Sequence, residues 1–249
     1  MIDRGWVSIV GAGPGPLDLM TLRAVDRLDR ATVVIHDRLI GADVLARIPA
    51  HARRIDAGKT MGSHTLPQNI IHELMIEHAR QGHRVVRLKG GDPLVFGRGG
   101  EEMQALMAAG IPFEIVPGVT AAVACAAAAG IALTHREWAP SCVFLPGHRA
   151  QDDASLDWAS LARGSQTLVF YMGVTRVAAI GQQLIAHGLL PTTPAAMVID
   201  GTRPGQRIHA TTLERLLRAS PGYGSGPGLL IVGRTVGLSP YYGVAEEEG

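Results

Sequence analysis

Residues 85–102 read VVRLKGGDPLVFGRGGEE. The stretch opens with a short, mostly apolar run, Val85–Leu88, which predicts a strand. Two glycines and Asp92 follow at the carboxyl end of that strand, where an open parallel sheet binds its ligands. Glycines let a backbone approach a ligand closely, and a carboxylate there either accepts hydrogen bonds from a ligand or caps the following turn. The stretch therefore predicts a strand followed by a ligand-binding loop.

The second half of the stretch places an arginine between glycines, directly before a predicted helix. Glu101 and Glu102 suit the positive N-terminal end of that helix, so a purely structural role accounts for them. Arg98 is harder to explain by structure alone, because its glycine neighbours offer its stem nothing to pack against. We therefore interpret Arg98 as a candidate ligand-binding residue.

Apolar runs alternate with helical patterns on both sides of this loop. The N-terminal strand predictions are Val7–Val10, Thr32–Ile35, Val85–Leu88 and Phe113–Val116. A capping-box pattern with a helix-starting proline, Thr65–Gln68, predicts a helix that ends near Gly82. Strands alternating with helices predict a mostly parallel sheet covered on both faces, and so an α/β fold.

The pattern changes after the turn Pro117-Gly118. The strands predicted there are Cys142–Leu145, Thr167–Tyr171, Ala195–Ile199, Arg207–Ala210 and Leu229–Val232, with a helix from about Val174 to His187. The last strands are close together in sequence and separated by short polar turns, which predicts hairpins and a mixed sheet. We predict two domains, residues 1–117 and 118–249.

Composition excludes several classes of protein. The 249 residues are 47% hydrophobic and 18% charged with a formal net charge of +1, which is globular and disfavours a nucleic-acid partner. Two cysteines, Cys125 and Cys142, are too few for a disulfide framework or a zinc site. We therefore expect no bound metal and a location in the reducing cytoplasm. The N-terminus lacks the apolar core of a signal peptide. The uncharged segment Ile115–Thr134 is alanine-rich and interrupted by proline and glycine, so we predict a buried helix there and no membrane span.

The turn Gly11–Gly15 resembles a dinucleotide fingerprint in its place between a strand and a helix. Its spacing differs, because Pro16 stands where the third glycine is needed, and two prolines remove amide donors that a pyrophosphate requires. Three interpretations stay open at this point: a tight structural turn, a nicotinamide or flavin site, and a loop shaped around a ligand without phosphate.

The ordered motifs of the chain resemble the tetrapyrrole methylase family, and within it the members that methylate uroporphyrinogen III. The matching motifs are VGAGPG (Val10–Gly15), HDRL (His36–Leu39), GKTMGSHTLPQ (Gly58–Gln68), the stretch at 85–102, IPFEIVPGVTAA (Ile111–Ala122), GIALTHR (Gly130–Arg136), TLVFYMG (Thr167–Gly173) and LLIVGRTVGL (Leu229–Leu238). They cover nearly the whole chain in order. The resemblance implies two α/β domains with S-adenosylmethionine in the cleft between them, and a homodimer.

The resemblance also implies an activity and a set of site residues. Two methyl groups are expected to go to carbons 2 and 7 of uroporphyrinogen III, through precorrin-1, to give precorrin-2 for sirohaem, cobalamin or related tetrapyrroles. The implied cofactor contacts are Pro14, Gly90, Gly91, Asp92, Val95, Thr120, Ala121, Met172 and Gly201. The resemblance implies Asp37 as catalytic base and Lys59 as acid, with surface ion pairs as the alternative for both. Arg98, Glu101 and Arg136 are further candidates: Arg98 either binds an acetate or propionate group of the substrate or orients Glu101, and Arg136 either binds such a group or pins the cleft loop.

The chain departs from the family pattern at three places. Pro16 stands where the family usually has aspartate, Pro146 precedes Gly147-His148 where it usually has threonine, and Ala126–Ala129 replaces a segment that often carries tyrosine. These departures bear on efficiency and pathway, not on the fold. With no dehydrogenase–chelatase part in the sequence, the chain is expected to methylate and stop. The alternatives are another corrin, RNA or protein acceptor on the same fold, and a dinucleotide-binding oxidoreductase.

Overall fold

The computed structural model describes residues 5–58, 66–147, 156–224 and 226–244. Contacts divide the chain into two compact units, Met1–Ala121 and Ala122–Gly249. The boundary after residue 117 that the turn Pro117-Gly118 indicates stays a prediction about the folding domains.

The first unit is built on parallel strands. They are β1 (Trp6–Gly11), β2 (Val33–His36), β3 (Arg53–Asp56), β4 (Arg84–Lys89) and β5 (Phe113–Val116). Among the described residues they form one all-parallel sheet in the order β3-β2-β4-β1-β5. The predicted parallel sheet is confirmed. Sequence analysis missed β3, a partly exposed edge strand with the sequence RRID and no apolar run.

Helices cover both faces of this sheet. They are α1 (Leu22–Asp29), α2 (Ala42–Ala46), α3 (Gln68–Arg80) and α4 (Gly99–Ala108). Because strand side chains alternate, Val34 and Val86 enter an apolar cluster with α1 and α2, whereas Ile35 and Val85 enter a second cluster with α3 and α4. The N-cap residue of α3 is Pro67, and the predicted capping residue Thr65 lies outside the described residues.

In this strand order, the connections that leave the neighbouring strands β1 and β4 run in opposite directions across the sheet. The chain leaves β1 toward β2 on one side and leaves β4 toward β5 on the other, although β1 and β4 are neighbours. Open α/β sheets bind ligands outside the carboxyl ends of the strands at such a point. The loops that follow β1 and β4 are Gly11–Gly15 and the GGD segment of the quoted stretch, so the topology brings two of the sequence motifs to one place.

The second unit contains a mixed sheet, as the sequence predicts. Its strands are β6 (Ser141–Pro146), β7 (Gln166–Tyr171), β8 (Pro194–Ile199), β9 (Arg207–Thr212) and β10 (Gly228–Val232). Within the described residues the order is β6-β7-β10-β8-β9, with β6 and β7 parallel and the other pairs antiparallel. The antiparallel pair of β8 and β9 confirms the hairpin that the polar turn after Ile199 indicates.

Four α-helices accompany this sheet within the described residues. They are α5 (Ala121–Ala128), α6 (Trp158–Leu161), α7 (Val177–Ala186) and α8 (Leu213–Ala219). The helix predicted from Val174 begins with a short 3-10 turn before α7. Phe170, Met197 and Leu230 are fully buried in the apolar cluster on one face of the sheet. None of the helices in the described part of the chain has the length and apolar character needed to cross a bilayer.

Candidate functional site

Three loops meet at the carboxyl edge of the first sheet through their backbones. Gly13 and Gly91 exchange two hydrogen bonds, with N–O distances of 3.2 and 2.7 Å. A Cβ atom on Gly11 would lie 2.6 Å from the Gly118 nitrogen and 2.7 Å from the Gly91 oxygen. Gly91 also has φ +66°, a value that favours glycine. Close packing of the loops therefore explains Gly11 and Gly118, and the left-handed backbone explains Gly91.

Gly90 has no such structural explanation. Its φ is not in the left-handed region, and a Cβ atom placed on it would meet no heavy atom within 4 Å. The residue is exposed and lies directly after β4, at the edge where ligands bind. The space beside Gly90 is therefore free of protein at the switch point of the sheet.

Asp92 connects two of the loops. Its Oδ1 accepts a hydrogen bond from the Leu94 amide at 2.8 Å, and its Oδ2 accepts one from the Gly118 amide at 3.1 Å. The first contact is the cap that sequence analysis offered as the alternative. The second ties the loop after β4 to the loop after β5. A carboxylate has lone pairs beyond these two, so the predicted cofactor contact of Asp92 stays a prediction.

The predicted base Asp37 belongs to a buried ionic cluster that sequence analysis missed. We call Asp37, Arg87, Lys89 and Glu102 the buried quartet. Arg87 pairs with Asp37 Oδ1, and Arg87 Nε and Lys89 Nζ donate to Glu102 Oε1 at 2.9 and 3.0 Å. Lys89 Nζ lies 3.9 Å from Asp37 Oδ2. The two cations and Glu102 are buried, whereas the Asp37 side chain is 34% exposed.

The protonation equilibria of the two cations follow from this burial. Burial acts against the charge of Arg87, but the carboxylates of Asp37 and Glu102 outweigh it and raise its pKa. Burial lowers the pKa of Lys89, and repulsion from Arg87 adds to the effect, against the attraction of Glu102 and Asp37. Only a paired arrangement makes such burial tolerable, since isolated buried charges are very costly.

The alternation of side chains along β4 indicates the buried quartet. Residues 85, 87 and 89 lie on one face of the strand, and that face packs against α3 and α4. Two cations on a buried face need carboxylates, and Glu102 of α4 and Asp37 after β2 are within reach of it. The alternation of the strand residues, and not the glycine loop, carries this signal.

Arg98 and Glu101 contact each other in the structure. The Arg98 guanidinium forms a forked pair with Glu101, with Nε–Oε1 at 2.8 Å and Nη2–Oε2 at 2.6 Å. The pair is largely exposed; the hydrogen bond to Glu101 raises the pKa of Arg98, and the same bond lowers the pKa of Glu101. The contact with Glu101 agrees with one of the two roles expected of Arg98, and its contact with a substrate carboxylate stays a prediction.

Left-handed backbone conformations concentrate at predicted site residues. The non-glycine residues with positive φ in the described chain are Phe96, Arg98, Met172, Asp200 and Thr202. Arg98 and Met172 are predicted site residues, Phe96 follows Val95, and the other two flank Gly201. Each such conformation costs about 1–2 kcal/mol, so local structure alone does not favour it. Strain of this kind gathers at functional sites.

The predicted cofactor residues of the second unit lie after strands. Met172 follows β7 and is 52% exposed, and Gly201 lies in the turn between β8 and β9. A Cβ on Gly201 would clash with Cys125 Sγ, so packing explains that glycine. Burial raises the pKa of the Cys125 thiol to about 11, which keeps it protonated and unreactive. Tyr171, which sequence analysis did not single out, accepts a hydrogen bond from the Ala122 amide at 3.1 Å near the start of α5.

Arg136 lies in an exposed turn closed by reciprocal hydrogen bonds between His135 and Ala139. His135 stacks on Trp138 with ring centroids 4.8 Å apart, and its Nδ1 accepts the Glu137 amide at 3.2 Å. The histidine is therefore a turn residue. Arg136 itself makes no hydrogen bond or ion pair with the described residues, so its guanidinium is available to a carboxylate. Lys59, the predicted acid, lies outside the described residues.

The remaining predicted contacts lie in loops of the first unit. Pro14 is half-buried in the turn after β1, and Val95 follows Asp92 in the loop after β4. Thr120 and Ala121 lie near Gly91: a Cβ on Gly91 would come within 3.8 Å of the Thr120 Cα and 3.7 Å of the Ala121 nitrogen. In the described part of the chain no three His, Cys, Asp or Glu residues are grouped in a way that could hold a metal ion.

Comparison with known proteins gives consistent matches. The profile of the family Tetrapyrrole (Corrin/Porphyrin) Methylases matches residues 7–217. The siroheme synthase of Edwardsiella ictaluri is 50% identical over 239 residues, which are 96% of this chain and 51% of that protein. The siroheme synthase of Nitrosomonas europaea is 50% identical over 237 residues. The chain thus spans about half the length of the curated relatives it matches.

Solved structures share the fold over nearly the whole chain. A uroporphyrin-III C-methyltransferase from Thermus thermophilus superposes with a TM-score of 0.77 at 41% identity, covering 94% of this chain and 95% of that one. A structure described as the Thermus enzyme in complex with S-adenosylhomocysteine gives 0.77 at 38% identity, covering 93% of each chain. A cobalt-precorrin-4 methyltransferase of cobalamin biosynthesis gives 0.83 at 28% identity, covering 93% and 95%.

Proposed function

Because this chain belongs to the tetrapyrrole methylase family, we propose that it is an S-adenosylmethionine-dependent C-methyltransferase. Its proposed acceptor is uroporphyrinogen III, methylated at carbons 2 and 7 through precorrin-1 to precorrin-2. The observation that carries the proposal is the free space beside Gly90 at the switch point, next to a turn whose prolines remove phosphate-binding amides. A cofactor without phosphate suits that chemistry. The similarity to the Thermus uroporphyrin-III enzyme supports the choice of acceptor.

The residues present suit S-adenosylmethionine, which supplies an electrophilic methyl group on a sulfonium. Gly90 leaves room for the ligand, and the backbones of Gly91 and Pro14 come from the two loops that meet there. The other proposed contacts are Asp92, Val95, Thr120, Ala121, Met172 and Gly201. The positive φ of Met172 and of both neighbours of Gly201 supports their assignment.

The reaction requires the protein to align the reactants, to bind the charged substrate and to supply one proton acceptor. A pyrrole carbon forms the new C–C bond with a π electron pair, the S–C bond breaks with its electrons remaining on sulfur, and the ring cation then loses a proton. Alignment alone supplies up to about 7–11 kcal/mol in the most favourable cases. Asp37 is the proposed proton acceptor, since its Oδ2 is not held by Arg87. Lys59 is the proposed acid.

The acceptor carries eight carboxylates, and guanidinium groups bind carboxylates through two parallel hydrogen bonds. Arg136 is available for such a contact, whereas Arg98 is already paired with Glu101. We propose that Arg98 either exchanges that carboxylate for one of the substrate or presents Glu101 to the ring. A homodimer, and a protein that takes precorrin-2, complete the proposed setting.

Gly90→Ala tests the proposed cofactor contact. The added methyl group would contact no protein atom, and Gly90 does not have the left-handed φ that disfavours a side chain. Thermal stability should therefore stay at or slightly above the wild-type value. S-adenosylmethionine affinity, measured by calorimetry, should fall at least tenfold, about 1.4 kcal/mol, because the methyl group fills the space of the ligand.

The matched control is Gly100→Ala, another glycine that has open space around it and no left-handed φ. This residue lies in the first turn of α4, where alanine is favoured. Unchanged cofactor affinity in the Gly90 variant would show that the free space beside Gly90 is not part of the cofactor site. A loss of equal size in both variants would mean that the effect does not depend on the space beside Gly90.

Arg98→Lys tests the forked geometry. Lysine keeps the charge and loses the planar fork. We expect turnover to fall at least tenfold while cofactor affinity stays near wild type. Steady-state assays on uroporphyrinogen III, paired with a cofactor titration, measure both quantities. Full activity of the lysine variant would make the pair with Glu101 a surface ion pair only.

The proposed function itself is tested by incubation with uroporphyrinogen III and labelled S-adenosylmethionine, followed by mass analysis. Two added methyl groups are expected. The favoured alternative is another corrin precursor, because the cobalt-precorrin-4 methyltransferase superposes at least as well as the Thermus enzyme. Transfer to such a precursor and not to uroporphyrinogen III would select that alternative. Calorimetry with NAD in parallel excludes a dinucleotide enzyme if S-adenosylmethionine binds and NAD does not.

A further inference from the structure

The buried quartet contains two residues that no proposed step yet uses. Lys89 Nζ and Arg87 Nε share one oxygen of Glu102, and Gln68 Nε2 approaches the same oxygen at 3.3 Å. Glu102 Oε2 has no hydrogen-bond partner among the described residues. Glu102 is fully buried, so its negative charge acts on its two cationic neighbours with little screening by water.

The same two cations act on Asp37. Arg87 holds Oδ1, which fixes the orientation of the carboxylate, and Lys89 stands 3.9 Å from Oδ2. The quartet has two positive and two negative charges. Asp37 is the only member of the quartet with a substantially exposed side chain. The other three charged side chains are buried behind this one carboxylate that reaches solvent.

The backbone of Asp37 is also held. Its amide donates to the Leu88 carbonyl oxygen at 3.1 Å. Arg54 Nε donates to His36 Nε2 at 2.9 Å, so His36 Nδ1 is the donor to the Asp37 carbonyl oxygen at 3.0 Å. The charged and titratable groups on the elements around Asp37 include Arg38 in its loop, His36 on β2, Arg54 and Asp56 on β3, Arg87 and Lys89 on β4, His72 on α3, and Glu101 and Glu102 on α4.

We propose that Lys89 and Glu102 are positioning residues whose opposite charges, delivered through the buried quartet, set the pH at which Asp37 takes up a proton. The inference rests on the proposed function, in which Asp37 accepts the proton that leaves the macrocycle. Lys89 favours the charged carboxylate, and Glu102 tempers that effect by neutralising the two cations. A base held by two uncompensated cations would be a weak proton acceptor.

The two residues therefore have effects of opposite sign. Lys89→Met removes a positive charge beside Oδ2, and the proton affinity of Asp37 rises. Glu102→Gln keeps the acceptor oxygen for Lys89 and Arg87 but removes the charge that compensates them, and the proton affinity of Asp37 falls. A purely structural contribution of either residue has no reason to move Asp37 in these opposite directions.

The direct test is an NMR titration of full-length protein labelled with carbon-13 in the aspartate carboxyl groups, with Asp37→Asn used to assign the signal. The midpoint of the Asp37 signal should move to higher pH in Lys89→Met and to lower pH in Glu102→Gln, in each case by more than the error of the titration. Glu114→Gln is the matched control, since it removes a carboxylate from another ion pair, with Arg27, on β5. It should leave the midpoint of the Asp37 signal unchanged within the error of the titration.

The second readout is the pH profile of kcat/KM for methyl transfer. Its acid limb should follow the NMR shifts in both variants, while cofactor affinity stays at the wild-type value. The inference is overturned if the Asp37 titration is unchanged in both variants, or if it shifts in the same direction in both. It is also overturned if the acid limb of the pH profile does not move with the NMR shifts. If the wild type transfers no methyl group, the proposed function fails, and the titration alone still decides whether the pair sets the protonation of Asp37. Should one variant fail to fold, the sign of the shift in the other decides.

Discussion

Asp37→Asn is expected to lower kcat for methyl transfer by about 10²- to 10⁴-fold, the range that a positioned proton acceptor contributes. The asparagine carbonyl oxygen still accepts the hydrogen bond from Arg87, so the loop after β2 keeps its anchor. The amide cannot take up the proton that the macrocycle must lose. S-adenosylmethionine affinity should remain near the wild-type value. Single-turnover kinetics with uroporphyrinogen III, together with a cofactor titration, measure the two quantities.

Asp56→Asn provides the matched control for this prediction. Asp56 ends β3, the strand beside β2, and its Oδ1 accepts the Gly58 amide at 2.9 Å, which an asparagine oxygen preserves. Its kcat should stay within about threefold of wild type, a difference of about 0.65 kcal/mol in the barrier. An Asp37→Asn enzyme with kcat inside that same range would show that another group accepts the proton.

Glu102→Ala is expected to cost about 3–5 kcal/mol of unfolding free energy, because it leaves two buried cations with only the partly exposed Asp37 as counter-charge. Total stabilities of about 5–15 kcal/mol make this a large fraction. Denaturant unfolding followed by circular dichroism measures it. Glu102→Gln should lose less, since it keeps the acceptor oxygen for both cations.

The adjacent Glu101→Ala is the control for position and helix propensity. Glu101 lies in the same turn of α4, but its pair with Arg98 is exposed and screened by water. Its unfolding midpoint should stay near wild type. A Glu102→Ala loss below about 1 kcal/mol would mean that water or a shifted Asp37 compensates the buried cations, and the quartet would then be a weak contributor to stability.

Strands with apolar runs were predictable, whereas the edge strand β3, which has no such run and no hairpin turn beside it, was missed. The runs at Ala195–Ile199 and Leu229–Val232 lie within β8 and β10, because strands buried on both faces need apolar residues at every position. The edge strand β3 pairs only with β2 and leaves Arg53 and Arg54 exposed, so its sequence needs no such run. Its existence follows from the free hydrogen-bonding edge of β2, which is a property of the assembled sheet.

The candidate site divides in the same way. The glycine loop after β4 and the turn after β1 were predictable, since glycine permits backbone conformations that other residues avoid and proline fixes φ. Their meeting at Gly13 and Gly91 depends on β1 and β4 being neighbours in the sheet although β2 and β3 separate them in sequence. The forked pair of Arg98 with Glu101 is a three-residue contact at the start of a helix. It was considered only as one alternative, because the sequence does not show which partner a guanidinium takes.

The sequence by itself determined the α/β class, the parallel and mixed sheets and the resemblance to the tetrapyrrole methylases, because apolar periodicity, turn residues and ordered motifs are local properties of the chain. Only the tertiary structure decided which charges share the buried quartet. Asp37, Arg87 and Glu102 come from three different elements, and strand order and helix packing bring them together. Burial then decides their chemistry, since a charge removed from water must find its counter-charge wherever the fold has placed one.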